Sequence, residues 1–205
     1  MRKLVFLVVV VGLALALDQG ARLFAEGKLA DRAREAAVDA ADAEASITSF
    51  PFLGRLLVSG AVPRVEVRVE RAVAGPLRLA AVAVDARGVS LDRGRLLSGD
   101  VRVEDIEEGT VSVEVDASSL SEALDVPITV TGGQVRAQVR GVGVAARPEV
   151  SDDGSLVLRV AGLPALNVPL ERIPLVPCAA TAVEILDDRV RLTCQVDELP
   201  APLRR

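Results

Sequence analysis

The sequence predicts an α+β fold of mainly antiparallel strands with a long N-terminal helix and a short second helix. From Val62 to Val73 apolar and polar residues alternate strictly, which is typical of a strand with one buried and one solvated face. The same alternation returns in three later segments, which begin at Val111, Val135 and Val190. Gly132-Gly133 and Asp187-Asp188 are turn pairs that predict hairpins, and the strands of a hairpin run antiparallel.

The chain opens with fourteen uninterrupted apolar residues, Leu4 to Leu17, preceded by Arg2 and Lys3. This pattern is typical of an export signal, and Ala14-Leu15-Ala16 offers a small-x-small cleavage site. As a helix the run would be about 21 Å long, short of the roughly 30 Å of a hydrocarbon core, although an extension through Phe24 would lengthen it. A cleaved signal peptide and an uncleaved membrane anchor therefore both stay open.

Residues 1–24 are accordingly assigned to a signal peptide or membrane anchor, and residues 25–205 to one α+β domain. Either assignment puts the body outside the cytoplasm, at the outer face of the cytoplasmic membrane or in a periplasm-like envelope space. The two cysteines, Cys178 and Cys194, are expected to form a disulfide, because an even cysteine count in an exported chain favours pairing.

Two helices are predicted from periodicity and capping. The segment from Asp18 to Ala45 carries small apolar residues on one helical stripe, namely Ala25, Leu29, Ala33, Ala36 and Ala40. Small residues allow such a helix to lie close to a sheet. The residues Ser119-Leu120-Ser121-Glu122 have the pattern of a capping box and open a short helix that ends before Pro127.

The segment from Leu163 to Pro177 alternates prolines with large apolar residues. Repeated proline excludes an interior strand, and the apolar content excludes a solvated linker. The remaining prediction is an extended segment that crosses an apolar surface or groove. A second apolar segment, Phe50-Pro51-Phe52-Leu53, is interpreted either as a core plug at a helix-to-sheet turn or as the apolar lip of a pocket.

The composition argues against catalysis and against nucleic-acid binding. The chain has no His, Tyr or Trp, and its net charge is −5, so the usual general base, the aromatic stacking platforms and a basic surface are missing. We therefore expect no catalytic residues, no metal and no cofactor. The acidic run from Glu104 to Glu108 is interpreted as a solvated turn, with weak calcium binding as the alternative.

Two arginine pairs, Arg64 with Arg68 and Arg136 with Arg140, are each predicted to lie on one face of a strand. Guanidinium groups on one face would suit a phosphate head group. Because other polar residues stand between the members of each pair, ordinary cross-strand pairing is the favoured interpretation.

Taken in order along the chain, these features resemble the LmeA-like phospholipid-binding family of actinobacterial envelope proteins. The resemblance is carried by the apolar segment that runs into a charged helix, Phe50-Pro51-Phe52-Leu53, Gly88-Val89, the Ser119 to Leu124 helix, Leu163-Pro164 and the closing Cys178 and Cys194. It implies an extracytoplasmic protein that binds phospholipids such as phosphatidylinositides. It also implies a fold similar to tubular lipid-binding proteins, a roll in which a curved, mainly antiparallel sheet wraps around the long helix and the short one. The family supplies no catalytic residues.

The predicted function is therefore that of an extracytoplasmic phospholipid carrier or lipid-presenting protein, not an enzyme, with phospholipid and the membrane as partners and no nucleic acid. Acyl chains are expected in an aliphatic groove between sheet and helix. Its predicted apolar lining is Phe50, Phe52, Leu53, Leu56, Leu57, Leu120, Leu124, Leu166, Val168, Leu170, Ile173 and Leu175. The alternative is a membrane-tethered structural or assembly domain with a filled core and no ligand.

Overall fold

A computed structural model describes residues 2–36, 40–74, 77–92, 94–95, 103–151, 155–161, 164–168 and 180–196. Its helices in these ranges are α1 (Arg2–Ala36), α2 (Phe52–Ser59) and α3 (Ala117–Leu124). Its strands are β1 (Asp42–Thr48), β2 (Ala61–Ala74), β3 (Leu77–Leu91), β4 (Val103–Asp105), β5 (Glu108–Asp116), β6 (Ile128–Thr131), β7 (Gln134–Val139), β8 (Val142–Val150), β9 (Leu156–Val160), β10 (Leu166–Val168), β11 (Ala182–Ile185) and β12 (Arg189–Val196).

The strands form two open antiparallel sheets. The larger sheet has the order β1-β2-β3-β5-β12-β11, with β4 paired to β3, and the smaller has the order β10-β9-β8-β7-β6. Helix α3 contacts β3 and β5 of the larger sheet and β6 and β10 of the smaller one. The predicted α+β class, with a long N-terminal helix and antiparallel sheets, is confirmed.

Alternation along the strands decides which face of each sheet is buried. In β2, Val65, Val67 and Val69 are buried, while Glu66 and Glu70 are exposed, as the period of two predicts. The same holds for Val111, Val113 and Val115 of β5 and for Val190, Leu192, Cys194 and Val196 of β12. The predicted Gly132-Gly133 hairpin is confirmed as well, since both glycines have positive φ (59° and 70°) between the paired strands β6 and β7.

Helix α1 packs against β1 and β2 through the predicted stripe of small residues. Ala25, Leu29 and Ala33 are buried on it, at 0%, 7% and 1% exposure. The helix ends at Ala36, however, so the predicted continuation to Ala45 is wrong. Residues 42–48 form β1 instead, because Ala43 and Ile47 gain cross-strand partners in Val69 and Val65 of β2, and this pairing outweighs the helix preference of Ala43 and Ala45.

One hydrogen bond joins α1 to the outer side of β1. Strand β1 is the edge of the larger sheet, and its Ile47 N–H donates to Glu26 Oε1 of α1 at 2.8 Å. A backbone donor that no neighbouring strand takes up is thereby satisfied within the chain.

Both short helices differ from what the sequence predicts. No helix is predicted from the sequence over residues 52–59, whereas the structure forms α2 there. Helix α3 begins at Ala117, and its cap is Asp116, whose Oδ1 accepts from the Ser119 N–H at 2.8 Å, rather than the predicted Ser119. Aspartate is as good an N-cap as serine and lies three residues earlier, so the helix gains almost a full turn.

Candidate functional site

Asp18 fixes α2 against the middle of α1. Its carboxylate accepts hydrogen bonds from the N–H groups of Phe52 (3.0 Å) and Leu53 (2.7 Å), and the residue is only 4% exposed. Pro51, which occupies the N-cap position of α2, provides no side-chain cap, so Asp18 satisfies the first turn in its place and puts a negative charge at the positive helix end. The last apolar residues of α1 before Asp18 therefore lie close to the start of α2.

Helix α2 is apolar on its outer face as well as on its inner one. Phe52 and Leu56 face the core at 1% and 3% exposure, whereas Leu57 and Val58 are 62% and 84% exposed. Arg55 is the one charged residue among its eight. A surface helix normally has a polar outer face, and an all-apolar helix is typical of an apolar environment on both sides.

The first half of α1 presents apolar side chains on all sides. Large exposed apolar residues are Phe6, Val9, Val10, Val11, Leu13, Leu15 and Leu17. Val11 and Leu15 continue the stripe on which Asp18 and Ala25 are buried, yet they are 49% and 44% exposed because that stripe has passed the end of the sheet. From Phe6 to Leu17 the helix extends about 17 Å.

In the part of the chain that the structure describes, no helix meets the length and hydropathy needed to cross a membrane.

We call the exposed apolar residues Phe50, Leu57 and Val58, together with Val11 and Leu15 on the Asp18 stripe of α1, the α1–α2 surface. Phe50 is 62% exposed and directly precedes the cap residue of α2. Exposed large apolar side chains that lie singly are ordinary, but a group at one end of a molecule marks a contact with lipid or with another molecule.

A second apolar group lies where α3 meets β10. Leu120 and Val168 are fully buried there, and Leu124 and Leu166 are half-buried. Most of the proline-rich segment predicted to cross this surface falls outside the described residues, including the predicted lining residues Leu170, Ile173 and Leu175.

The predicted lining residues therefore lie in two groups. Helix α2 lies beside the end of β3, because the Gly60 C=O directly after the helix accepts a hydrogen bond from the Leu91 N–H. Helix α3 lies beside the start of β3, because it directly follows β5, whose Glu114 pairs with Ala81. Ala81 and Leu91 are about ten residues apart along β3, so the two helices are about 33 Å apart in the strand direction. The structure brings Phe52, Leu53 and Leu56 together with α1, and Leu120 and Leu124 together with β10. That either group lines a lipid groove stays a prediction.

The polar face of the larger sheet forms an open trough of about 460 Å³, lined among others by Arg64, Arg68, Asp85 and Ser112. Arg64 Nε donates to Asp85 Oδ1 at 2.8 Å, which lowers the pKa of that carboxyl because the hydrogen bond and the positive charge outweigh its burial. The predicted cross-strand pairing of Arg64 thus holds, and its guanidinium is engaged within the protein.

Glu114 is the buried charge at the side of this trough. Its side chain is 5% exposed and contacts Arg191 (2.8 Å), Arg189 (3.1 Å) and Arg68 (3.6 Å). Burial alone would raise the pKa of Glu114, but the hydrogen bonds from Arg191 and Arg189 and the charge of Arg68 hold it below its ordinary value. This network ties β2, β5 and β12 together.

Cys194 is buried on β12, where it pairs with Val111 of β5. Its predicted disulfide partner, Cys178, lies outside the described residues, so the disulfide stays a prediction.

Comparison with known proteins gives one match. A family model described as LmeA-like phospholipid-binding matches residues 16–204, nearly the whole chain. Neither the curated proteins nor the solved structures contain a significant match. The matched range begins two residues before Asp18 and therefore includes the contact of Asp18 with the start of α2.

Proposed function

The chain belongs to the LmeA-like phospholipid-binding family, and from this premise we propose that it is a phospholipid carrier or lipid-presenting protein of the cell envelope, working outside the cytoplasm. The α1–α2 surface is the observation that carries the proposal. Its apolar side chains are largely exposed, so they can contact acyl chains.

In this proposal the α1–α2 surface enters the acyl region of a membrane. The apolar half of α1 and the outer face of α2 contact lipid tails, with Asp18 keeping the two helices at a fixed angle. Each methylene removed from water contributes about 0.8 kcal/mol, so even a partial insertion of Leu57 and Val58 favours the bound state. Arg55, on the flank of α2, can extend its charged end to the lipid head groups.

The group at α3 and β10 then holds an acyl chain of the bound lipid. Leu124 and Leu166 are half-buried, so a hydrocarbon chain can cover them without displacing a fully packed residue. Phosphatidylinositides are among the lipids expected from the family resemblance. No catalytic step is part of the proposal.

The test is mass spectrometry of the phospholipid that co-purifies with the full chain from a mild detergent. We expect phospholipid with the wild type and about tenfold less with the double variant Leu57→Asp/Val58→Asp, since burying two carboxylates in lipid is strongly unfavourable. Val142→Asp is the matched control, because Val142 is 64% exposed but lies on the β7–β8 hairpin. Wild-type amounts of lipid on the double variant would contradict the role of the α1–α2 surface.

A second candidate, a membrane-tethered assembly domain without ligand, is favoured by the burial of four predicted lining residues. Phe52, Leu56, Leu120 and Val168 are at most 3% exposed and are already enclosed by protein. A wild-type chain that carries no phospholipid would favour this candidate. A loss of lipid from Leu124→Asp, with the fold intact, would instead favour the carrier.

A further inference from the structure

Three arginines occupy one face of the smaller sheet on three adjacent strands. Arg147 of β8 lies directly opposite Arg159 of β9, and Arg136 of β7 lies directly opposite Ala145, two residues before Arg147 on the same face of β8. Directly opposite residues have their Cβ atoms about 5 Å apart. All three guanidinium groups are therefore within reach of one small ligand.

This cluster is poorly neutralised by the protein. Glu149 bonds to Arg159, but within the described ranges neither Arg147 nor Arg136 makes a side-chain hydrogen bond or ion pair. Like charges directly opposite each other on a sheet are destabilising. On the larger sheet, by contrast, Arg64, Arg189 and Arg191 each contact at least one carboxylate. Arg136 and Arg147, which have no carboxylate partner among the described residues, are therefore open to an external anion.

Small residues leave room for such an anion. An open pocket of about 450 Å³ lies beside Arg147 and Arg159, and its remaining lining is Ala145, Glu149, Val160, Ala161 and Ala165. Arg136 lies opposite Ala145, and the lining residues Ala145, Ala161 and Ala165 carry only methyl groups where longer side chains would fill the space. The guanidinium groups beside these alanines complement the negative charge of a phosphate group, and the pocket has room for it.

We propose that the cluster of Arg136, Arg147 and Arg159 binds the phosphate group of an anionic phospholipid, and this inference rests on the proposed function. Ala165 of the pocket directly precedes β10, the edge strand of the smaller sheet, and the next residue, Leu166, points to the opposite face toward α3. A lipid whose phosphate lies on the arginines can pass its acyl chains over this edge to Leu166 and Leu124. Glu149 disfavours a second negative charge on that side, so the site favours a singly charged head group.

The experiment compares two lipids in one mixture. The full chain is incubated with vesicles of equimolar phosphatidylglycerol and phosphatidylcholine, extracted in detergent, and its bound lipids are quantified by mass spectrometry. We expect the wild type to be enriched about tenfold in phosphatidylglycerol, which corresponds to one charge-assisted contact. For Arg147→Gln/Arg159→Gln we expect the input ratio with the total bound lipid unchanged.

Two controls separate the site from general charge and from free phosphate. Arg87→Gln and Arg147→Gln each remove one positive charge; Arg87→Gln, on the larger sheet where Arg87 is 61% exposed, should keep the enrichment, whereas Arg147→Gln should lower it. Inorganic phosphate, compared with chloride at equal ionic strength, should lower the phosphatidylglycerol enrichment of the wild type and of Arg87→Gln but leave Arg147→Gln/Arg159→Gln at the input ratio.

Each other outcome overturns the inference. An unenriched wild type that still carries lipid contradicts the head-group site but leaves the proposed function intact. If Arg87→Gln lowers the phosphatidylglycerol enrichment as much as the substitutions in the cluster do, the preference comes from the overall charge of the protein and not from the cluster. Phosphate binding to the cluster, measured by calorimetry, without any phosphatidylglycerol preference assigns the site to a free anion. A wild type that carries no lipid at all removes both proposals.

Discussion

A carboxylate buried beside two helices is unfavourable unless it is hydrogen-bonded, and Asp18 obtains both of its bonds from the first turn of α2. We predict that Asp18→Ala lowers the free energy of unfolding by about 1–2 kcal/mol, the usual cost of losing an N-cap. Asp18→Asn, which keeps one acceptor oxygen, should lose less. Denaturant unfolding of the full chain in mild detergent measures both.

The control for this prediction is Asp31→Ala, also on α1. Asp31 is 62% exposed and makes only a 3.9 Å ion pair with Arg34, so its removal should change stability by less than about 0.5 kcal/mol. An equal loss from both variants would mean that Asp18 acts only through the general charge of α1.

At the residue scale the sequence predicted burial well and partners poorly. Alternation alone identified Val65, Val67 and Val69 as buried, because a strand has only two faces. The partner of Asp18 lies 34 residues away, and local patterns carry no information about such a contact. The sequence feature that pointed to this contact was a single aspartate, Asp18, directly after the apolar run. Likewise the sequence grouped Arg136 with Arg140, whereas strand register brings Arg147 and Arg159 to it, and Arg140 lies in the turn between β7 and β8.

Among the elements, α1 depends on the small size of its buried stripe. Ala25 is 0% exposed where the helix meets the sheet. We predict that Ala25→Leu lowers the free energy of unfolding by about 1–3 kcal/mol, because the larger side chain must push α1 away from the strands. The exposed Glu35→Leu on the same helix is the matched control and should be nearly neutral in denaturant unfolding. A neutral Ala25→Leu would show that the helix is not tightly packed there.

The elements that the sequence missed are those whose pattern is ambiguous. Helix α2 has only eight residues, which is too short a window for helical periodicity to be recognised in the sequence. Residues 42–48 are rich in Ala and charged residues and fit a helix locally, but pairing with β2 decides their conformation. The strands β2 and β5 were predicted because their alternation extends over many residues.

For the molecule as a whole, Glu114 connects stability to pH. Its pKa is lower in the folded protein than in the unfolded chain, despite the burial that opposes this, because Arg191, Arg189 and Arg68 surround it. Its contribution is therefore complete above the ordinary glutamate pKa of about 4.3 and is lost as the pH falls through the lower folded-state value. We predict that Glu114→Gln costs about 3 kcal/mol at neutral pH, since it leaves the arginines without their buried partner.

The measurement is the free energy of unfolding of wild type and Glu114→Gln from neutral pH down to acid. The two curves should converge as the pH falls below about 4, because protonation removes from the wild type what the substitution has already removed. Asp85 and Asp116 also have lowered pKa values and contribute to both curves equally, so the difference isolates Glu114. Parallel curves would contradict the role of its charge.

At this largest scale the sequence supplied the fold class and the family, and the family model supports the latter over residues 16–204. It did not supply the geometry of the site. The twelve predicted lining residues share only an apolar character, which is common to core plugs and to lipid contacts. Leu57 is exposed and Leu56 is buried although they are neighbours of the same size, because the helix turns one outward and the other inward.

The bond between Glu26 and the outermost strand has a consequence for self-association. A bare sheet border is a template on which a second molecule can add its own strand, and from there fibres grow. Because the Ile47 N–H already donates to Glu26 of α1, it is not available to the backbone of a strand that would add to β1. Helix α1 thereby makes this edge of the sheet a poorer template for the addition of a second chain.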